Sequence, residues 1–281
     1  MTSRRTVAAA TLAMMAFAGN SILCRLALKN TSIDPTTFTS LRVISGSLML
    51  WLLVYRRRDS GTSSGSWLSA FALFIYAAGF SFAYTQIPVG AGALILFGAV
   101  QATMVSYAII RGERLRALPL AGFVLAIIGV LLLFLPGITT PSVLSSALML
   151  SAGIAWGIYS IRGRKSGDPT KTTADNFHRC IPFTLILSGI MLPWWSCDVN
   201  GALLAACSGA LASGIGYVIW YTALKELTVM QSSTIQLSVP VLAAVGGVIL
   251  LGEPLTMQLF CAATMILGGI GLVIWRRPIS S

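Results

Sequence analysis

The chain has 281 residues, of which 56% are hydrophobic and only 10% charged, and its mean hydropathy is +0.84. Soluble domains carry roughly 25% charged residues, so this composition excludes a soluble enzyme or nucleic-acid-binding domain and indicates a polytopic membrane protein. The formal net charge of +11 belongs to basic residues between apolar stretches, where they set topology rather than grip nucleic acid.

A helix needs roughly 20 apolar residues to cross a ~30 Å hydrocarbon core, and ten such spans are predicted in chain order. The first, 7–28, follows Arg4 and Arg5, carries Asn20, and is too long for the roughly 7–15-residue core of a signal peptide, so it is expected to be retained. Span 36–55 holds Arg42 and ends at Arg56-Arg57-Arg58. Span 66–86 places Tyr76, Phe80 and Tyr84 at i, i+4 and i+8 on one helix face. Span 88–110 contains Gln101 and leads into Gly112-Glu113-Arg114-Leu115. Span 117–135 contains Gly129, and span 142–162 pairs Trp156 with Tyr159 at i, i+3. Span 175–195 has His178, Arg179, Pro182 and Pro193, and span 201–224 has Tyr217 and Tyr221. Span 229–251 combines Gln236 with Pro240 and leads into Gly252-Glu253-Pro254-Leu255; span 256–275 holds Gly269. The connections are short and leave no room for a soluble domain.

With alternating spans, fifteen of the nineteen Lys and Arg residues fall on the side of the N-terminus, from Arg4 to Arg277, and only Lys29 falls in a loop of the other side. The positive-inside rule then puts both termini in the cytoplasm. The halves, 1–140 and 141–281, superimpose at an offset of 137 to 140. Arg42 matches Arg179, Tyr84-Thr85 matches Tyr221-Thr222, Gly129 matches Gly269, and one Gly-Glu-x-Leu signature matches the other. Five spans per half is odd, so the second half inserts upside down. Inverted repeats are the architecture of transporters that rock one half against the other around a midplane site. The expected fold is therefore an all-α membrane protein, ten transmembrane helices in two five-helix inverted-topology repeats around a central cavity.

These residues resemble the EamA-type drug/metabolite transporters: a five-plus-five inverted repeat, Gly-Glu-x-Leu after the fourth span of each half, and Trp220-Tyr221-Thr222-Ala223-Leu224 closing the eighth. The resemblance covers almost the whole chain and is greatest to the YddG-type aromatic amino-acid exporters. It implies a basket of ten helices in a bacterial inner membrane, with spans 5 and 10 peripheral. It also implies export of aromatic and other neutral amino acids.

Polar and aromatic side chains in mid-span are the candidates for a substrate site, because exposing a polar group to lipid is costly. Asn20, Gln101 and Gln236 are amides that can donate and accept. Pro240 lacks an amide proton and crowds the carbonyl of Gln236, so a free carbonyl, a kink and an amide are expected at one level. Tyr76, Phe80, Trp156, Tyr159 and Tyr217 either line the cavity or pack between helices. Arg42 and Arg179, a turn or two inside their spans, are expected to snorkel or pair between helices rather than meet a substrate carboxylate. His178 is read as structural, and Glu113 and Glu253 as ties between span ends.

No acid lies in mid-span and the five cysteines have no metal-ligand spacing, so neither a metal or other cofactor nor a catalytic residue is expected. The expected partners are a small-molecule substrate and the lipid bilayer. Other metabolites, organic cations or nucleotide-linked sugars remain alternative cargoes. A cation pump would want a buried acid and a phosphate carrier a mid-span Lys or Arg, neither of which is expected here. A membrane-embedded enzyme would want acid or His clusters that the chain lacks.

Overall fold

The computed structural model describes residues 4–57, 65–110, 117–132, 142–163, 168–224, 226–227, 235–236 and 238–274. Ten long helices occupy them: α1 Arg4–Asn30, α2 Pro35–Arg57, α3 Trp67–Tyr84, α4 Val89–Ile110, α5 Ala117–Leu132, α6 Val143–Gly163, α7 Pro169–Ile190, α8 Val199–Leu224, α9 Ser238–Leu251 and α10 Met257–Ile274. Six of these, α1 to α4, α6 and α8, are long and apolar enough to cross a membrane. Helix α7 also has sufficient length but carries Lys171, Asp175 and Arg179. The first Gly-Glu-x-Leu signature and the start of span 9 lie outside the described residues.

Helix starts follow local chemistry. Asp34 accepts from the amides of Thr36 and Thr37, both at 2.9 Å, and Asp168 accepts from those of Thr170 and Lys171 at 2.9 and 3.2 Å. Ser66 and Asp198 likewise cap α3 and α8. Each satisfies amides that a helix start leaves without an intrahelical partner. Asp168 followed by Pro169, a residue already in helical φ, starts α7 six residues before the span read from hydropathy. The helix then stops at Ile190, and Pro193 falls in a separate 3-10 turn, Leu192–Trp194, so only Pro182 lies inside α7.

The packing repeats under exchange of the two halves. Helix α3 packs on α6 as α8 packs on α1; α4 packs on α6 as α9 packs on α1; α2 meets α8 as α7 meets α3. The pairs α2–α7, α4–α9 and α5–α10 map onto themselves. This is the contact pattern of two inverted five-helix repeats related by a pseudo-two-fold axis. Glycines at matched positions set the close approaches. A Cβ at Gly79 would stand 2.8 Å from the Leu148 carbonyl oxygen, and one at Gly216 would stand 2.9 Å from Ala16. Gly129 and Gly269 do the same between α5 and α10, where added carbons would meet Ile266 at 2.8 Å and the Gly122 carbonyl oxygen at 2.5 Å. Small residues let helix backbones approach in a medium that gives no hydrophobic drive for helix association.

Helix α8 is not uniform. Its middle, Ser208–Ile215, winds as a π-helix built largely of small residues, with Ser208, Gly209, Ala212, Ser213 and Gly214 buried. Gly209 lies against the backbone oxygen of Arg42 and against Ser45, leaving no space for a side chain. A π segment widens the helix locally and recurs at functional sites.

Candidate functional site

Five helices bring aromatic rings to the centre of the bundle, Phe97 of α4 among them. Phe17 of α1, Tyr76 and Phe80 of α3, Trp156 of α6 and Tyr217 of α8 are all buried. Trp156 is the hub. Its ring lies 4.8 Å from Tyr76, 5.0 Å from Tyr217, 5.5 Å from Tyr159 and 6.2 Å from Phe17. Such offset and edge contacts suit the ring quadrupole. With Asn20, Ser21, Leu96 and Phe97 these rings enclose a cavity of about 20 Å³. Ligand pockets run to roughly 300–1,000 Å³ and this space holds about one water, so the molecule is closed around its centre.

A polar chain runs through the ring cluster. Ser208 in the π segment donates to Asn20 Oδ1 at 2.6 Å, and Asn20 Nδ2 donates to the Tyr76 hydroxyl at 3.3 Å. Arg42 Nη2 donates to the same hydroxyl at 3.0 Å, and its Nε to Ser213 at 3.3 Å. The Arg42 guanidinium carbon also sits 5.0 Å from the Tyr76 ring centroid and 4.9 Å from that of Phe80, within cation–π range. Arg42 is 2% exposed. It does not snorkel, because hydroxyls and ring faces on α3 and α8 hold it inside. Of the two outcomes expected for Arg42, snorkelling and pairing between helices, the structure has the second. The signal was its seven-residue depth in α2, but hydropathy alone does not say which way such a residue points.

Of the nine residues singled out from sequence, Asn20, Tyr76, Phe80, Trp156 and Tyr217 line the cavity. Tyr159 stacks on Trp156 from behind, with its hydroxyl accepting from Asn176 Nδ2 at 3.5 Å. Gln101 is buried on α4 with no partner for Nε2, and Gln236 and Pro240 are buried near the start of α9; none of the three lines the cavity. Residue 237 is outside the described residues, and with it the geometry of the expected kink. Phe17, Ser21, Leu96 and Phe97 complete the lining without having been singled out as site residues.

The two ends of the bundle close differently. Where α1, α3 and α9 finish, Arg25 pairs with Glu253 at 3.2 Å and donates to the carbonyls of Tyr84 and Thr85, each at 2.8 Å. Glu253 also accepts from the Val89 amide at 2.7 Å and is 8% exposed. It stands at a span end, as expected, yet it is a buried carboxylate. Beside this latch, Asp34 accepts from the Ser196 amide and Asp198 from the Ser32 amide, both at 3.1 Å, so each loop holds the other's helix cap. The Asp34 carboxyl is held below its ordinary range: burial pushes it up, and hydrogen bonds from Thr37, Ser196 and Thr36 outweigh that.

At the basic end, Arg162 donates to Ser69 at 3.0 Å and Ser66 at 3.2 Å, and Thr6 donates to Glu226. Here α2 and α7 part to leave a groove of about 620 Å³ lined by Ser47, Trp51, Lys171, Asp175 and His178 among others. One end is thus sealed by a buried ion pair and the other carries an open lateral groove. No group of three or more His, Cys, Asp or Glu suited to a metal ion occurs among the described residues.

Comparison with known proteins adds the following. The model of the EamA-like transporter family matches the chain twice, over residues 4–135 and 144–275. An uncharacterized protein of Pseudomonas aeruginosa is 50% identical over 278 residues, covering 99% of this chain and 97% of that one. A protein of Escherichia coli named as a probable amino-acid metabolite efflux pump is 28% identical over 235 residues, covering 75% and 79% of the two chains. A Salmonella typhimurium protein of the same name is 28% identical over 222 residues, covering 72% and 74%. A solved crystal structure superposes with a TM-score of 0.65 at 18% identity, covering 95% of this chain and 96% of that one, a likeness of fold.

Proposed function

The chain belongs to the EamA-like transporter family, and from that premise we propose that it exports aromatic and other neutral amino acids by alternating access. Family membership makes it a multi-pass membrane transporter and not an enzyme. The finer reading, closest to the YddG-type exporters, places it in a bacterial inner membrane with both termini cytoplasmic. It is supported by the fifteen basic residues on one side and by the names of the two enterobacterial relatives.

The observation that carries the cargo reading is the closed cavity ringed by Tyr76, Phe80, Trp156 and Tyr217, with Asn20 at its wall. It lies between α1, α3 and α4 of one repeat and α6 and α8 of the other. An aromatic wall accepts a planar or aliphatic side chain, while amide and hydroxyl groups orient a zwitterionic end. In this mechanism the repeats, 1–140 and 141–281, rock about the shared axis. Separation of Arg25 from Glu253 opens the latched end, and the basic end closes in turn. No acid lines the cavity among the described residues, and in this reading the cargo moves down its own gradient without a carboxylate proton relay.

Efflux from preloaded proteoliposomes tests this directly. Labelled phenylalanine, tryptophan, tyrosine and threonine should leave faster than from protein-free vesicles, with the aromatic members fastest. Retention of all four at the control rate, with the protein folded and inserted, contradicts the reading.

A further inference from the structure

Arg42 is a buried cation with no acid beside it among the described residues. Arg25 pairs with Glu253 and Arg179 with Asp175, and neither pair involves Arg42. A guanidinium carries five N–H donors in a planar fork. Ser213 takes one from Nε and Tyr76 one from Nη2, while Nη1 is buried with no hydrogen-bond partner. The Tyr217 hydroxyl is also buried, beside Tyr76, and makes no hydrogen bond of good geometry. A charge withdrawn from water is retained at a cost unless something compensates it. Ring faces and hydroxyls meet part of that cost, but they leave the net charge in place.

The position is as informative as the charge. Arg42 touches Tyr76 and Phe80, two residues that also form the cavity wall, and Tyr217 lies on the same wall. The cation therefore stands one side chain behind the aromatic chamber. The π segment of α8 packs directly on its backbone, with Gly209 against the Arg42 carbonyl oxygen, and Tyr76 stands between the fork and the chamber.

We propose that Arg42 is the carboxylate-recognition residue of the transport site, with its unpartnered Nη1 and the Tyr217 hydroxyl receiving the anionic head group of the cargo. The cargo class is then small monocarboxylates with an apolar, preferably ring-bearing body, and organic cations are excluded. A phosphomonoester carries close to two charges at neutral pH, and one buried arginine matches a carboxylate better. The inference rests on the transport reading above and sharpens it: the aromatic wall reads the body, and Arg42 reads the charge.

The test compares each acid with its own amide on the purified protein. Phenylalanine is paired with phenylalaninamide, and 3-phenylpropionate with 3-phenylpropionamide, each titrated for its effect on the melting temperature and on vesicle counterflow. The acid should bind at least about tenfold more tightly than its amide, the worth of one charge-assisted hydrogen bond. That ratio should collapse toward one in Arg42→Gln and be partly kept in Arg42→Lys. Equal binding of acid and amide to the wild-type protein overturns the proposal, as does binding of neither, and that comparison needs no variant to fold. An unchanged ratio in a folded Arg42→Gln protein overturns it as well. If 3-phenylpropionate binds with the expected preference while no amino acid is moved, the amino-acid reading fails and the role of Arg42 stands.

Discussion

Arg42 and Arg179 occupy the same slot in the two repeats, 137 positions apart; Nη1 of each is buried without a hydrogen-bond partner, but their burial and their neighbours differ. Arg42 is enclosed, faces two aromatic rings and two hydroxyls, and has no acid beside it. Arg179 is one-third exposed beside Asp175, one helical turn away on α7, at 3.9 Å. The backbone symmetry is preserved while the chemistry of the slot is not. The first repeat presents its cation to the centre. The second keeps its cation on the flank of α7, whose face toward α2 lines the groove with Lys171, Asp175 and His178. A symmetric scaffold can thus rock about its axis and still hold an asymmetric site, which a cargo with one charged end requires.

If the latch at one end and the cation at the centre have different tasks, their removal should differ in kind. The largest stability effect is expected from Glu253→Ala, which leaves Arg25 buried without its counter-ion; breaking such a pair costs about 3–5 kcal/mol. Thermal unfolding in detergent should show a large drop, and an unchanged melting temperature would remove the latch from the account.

Arg42→Met is expected to do the reverse. It deletes a desolvated charge, so stability should hold or rise, while transport of carboxylated cargo falls about ten- to a hundredfold, the worth of roughly 1.5–3 kcal/mol of lost charge-assisted bonding. Loss of stability with transport intact would make Arg42 a structural tie and erase the contrast with Arg179.

The two repeat-related caps sharpen the comparison further. Asp34 caps α2 and also holds the Ser196 amide, whereas Asp168 is a cap for α7. Replacing a cap by Ala costs about 0.5–2 kcal/mol, and Asp34→Ala should lie above Asp168→Ala within that range. Because the Asp34 carboxyl is depressed in the folded protein, its contribution is present above the ordinary aspartate range near pH ~4 and is lost as pH falls through the folded value. The deficit of Asp34→Ala should therefore shrink in acid, and a deficit that grows there would contradict the assignment. The smallest effect is expected from Arg179→Gln, since a pair one-third exposed on both sides is screened by solvent and worth about 0–1 kcal/mol; a loss comparable to that of Glu253→Ala would end the distinction between the two arginines.

Much of this molecule could be read in its sequence because hydropathy and repetition are averages over many residues. Span positions, the inverted repeat, the paired glycines of α5 and α10 and the aromatic face of α3 all have that character. What escaped were single decisions made by distant partners. Arg42 turns inward because Tyr76 and Ser213, on other helices, receive it. Helix α7 starts early because Asp168-Pro169 outweighs the hydropathy of the following turn. The π segment in α8 is visible only as a stretch rich in small residues, Ser208 to Gly216, broken by Leu211 and Ile215 and packed against α2. Phe17 looked like an ordinary apolar position until Trp156, Tyr217 and Trp220 met it at 6.2, 5.7 and 6.0 Å.

The claim that the Trp156 chamber is where cargo binds is tested most directly by counterflow of labelled phenylalanine and threonine through the wild-type protein and Trp156→Ala, in vesicles of equal protein content. The account predicts that the phenylalanine rate falls far more than the threonine rate, because the lost ring faces the larger side chain. Wild-type rates and affinities for phenylalanine in Trp156→Ala would show that the aromatic cluster only packs the bundle and that cargo crosses elsewhere.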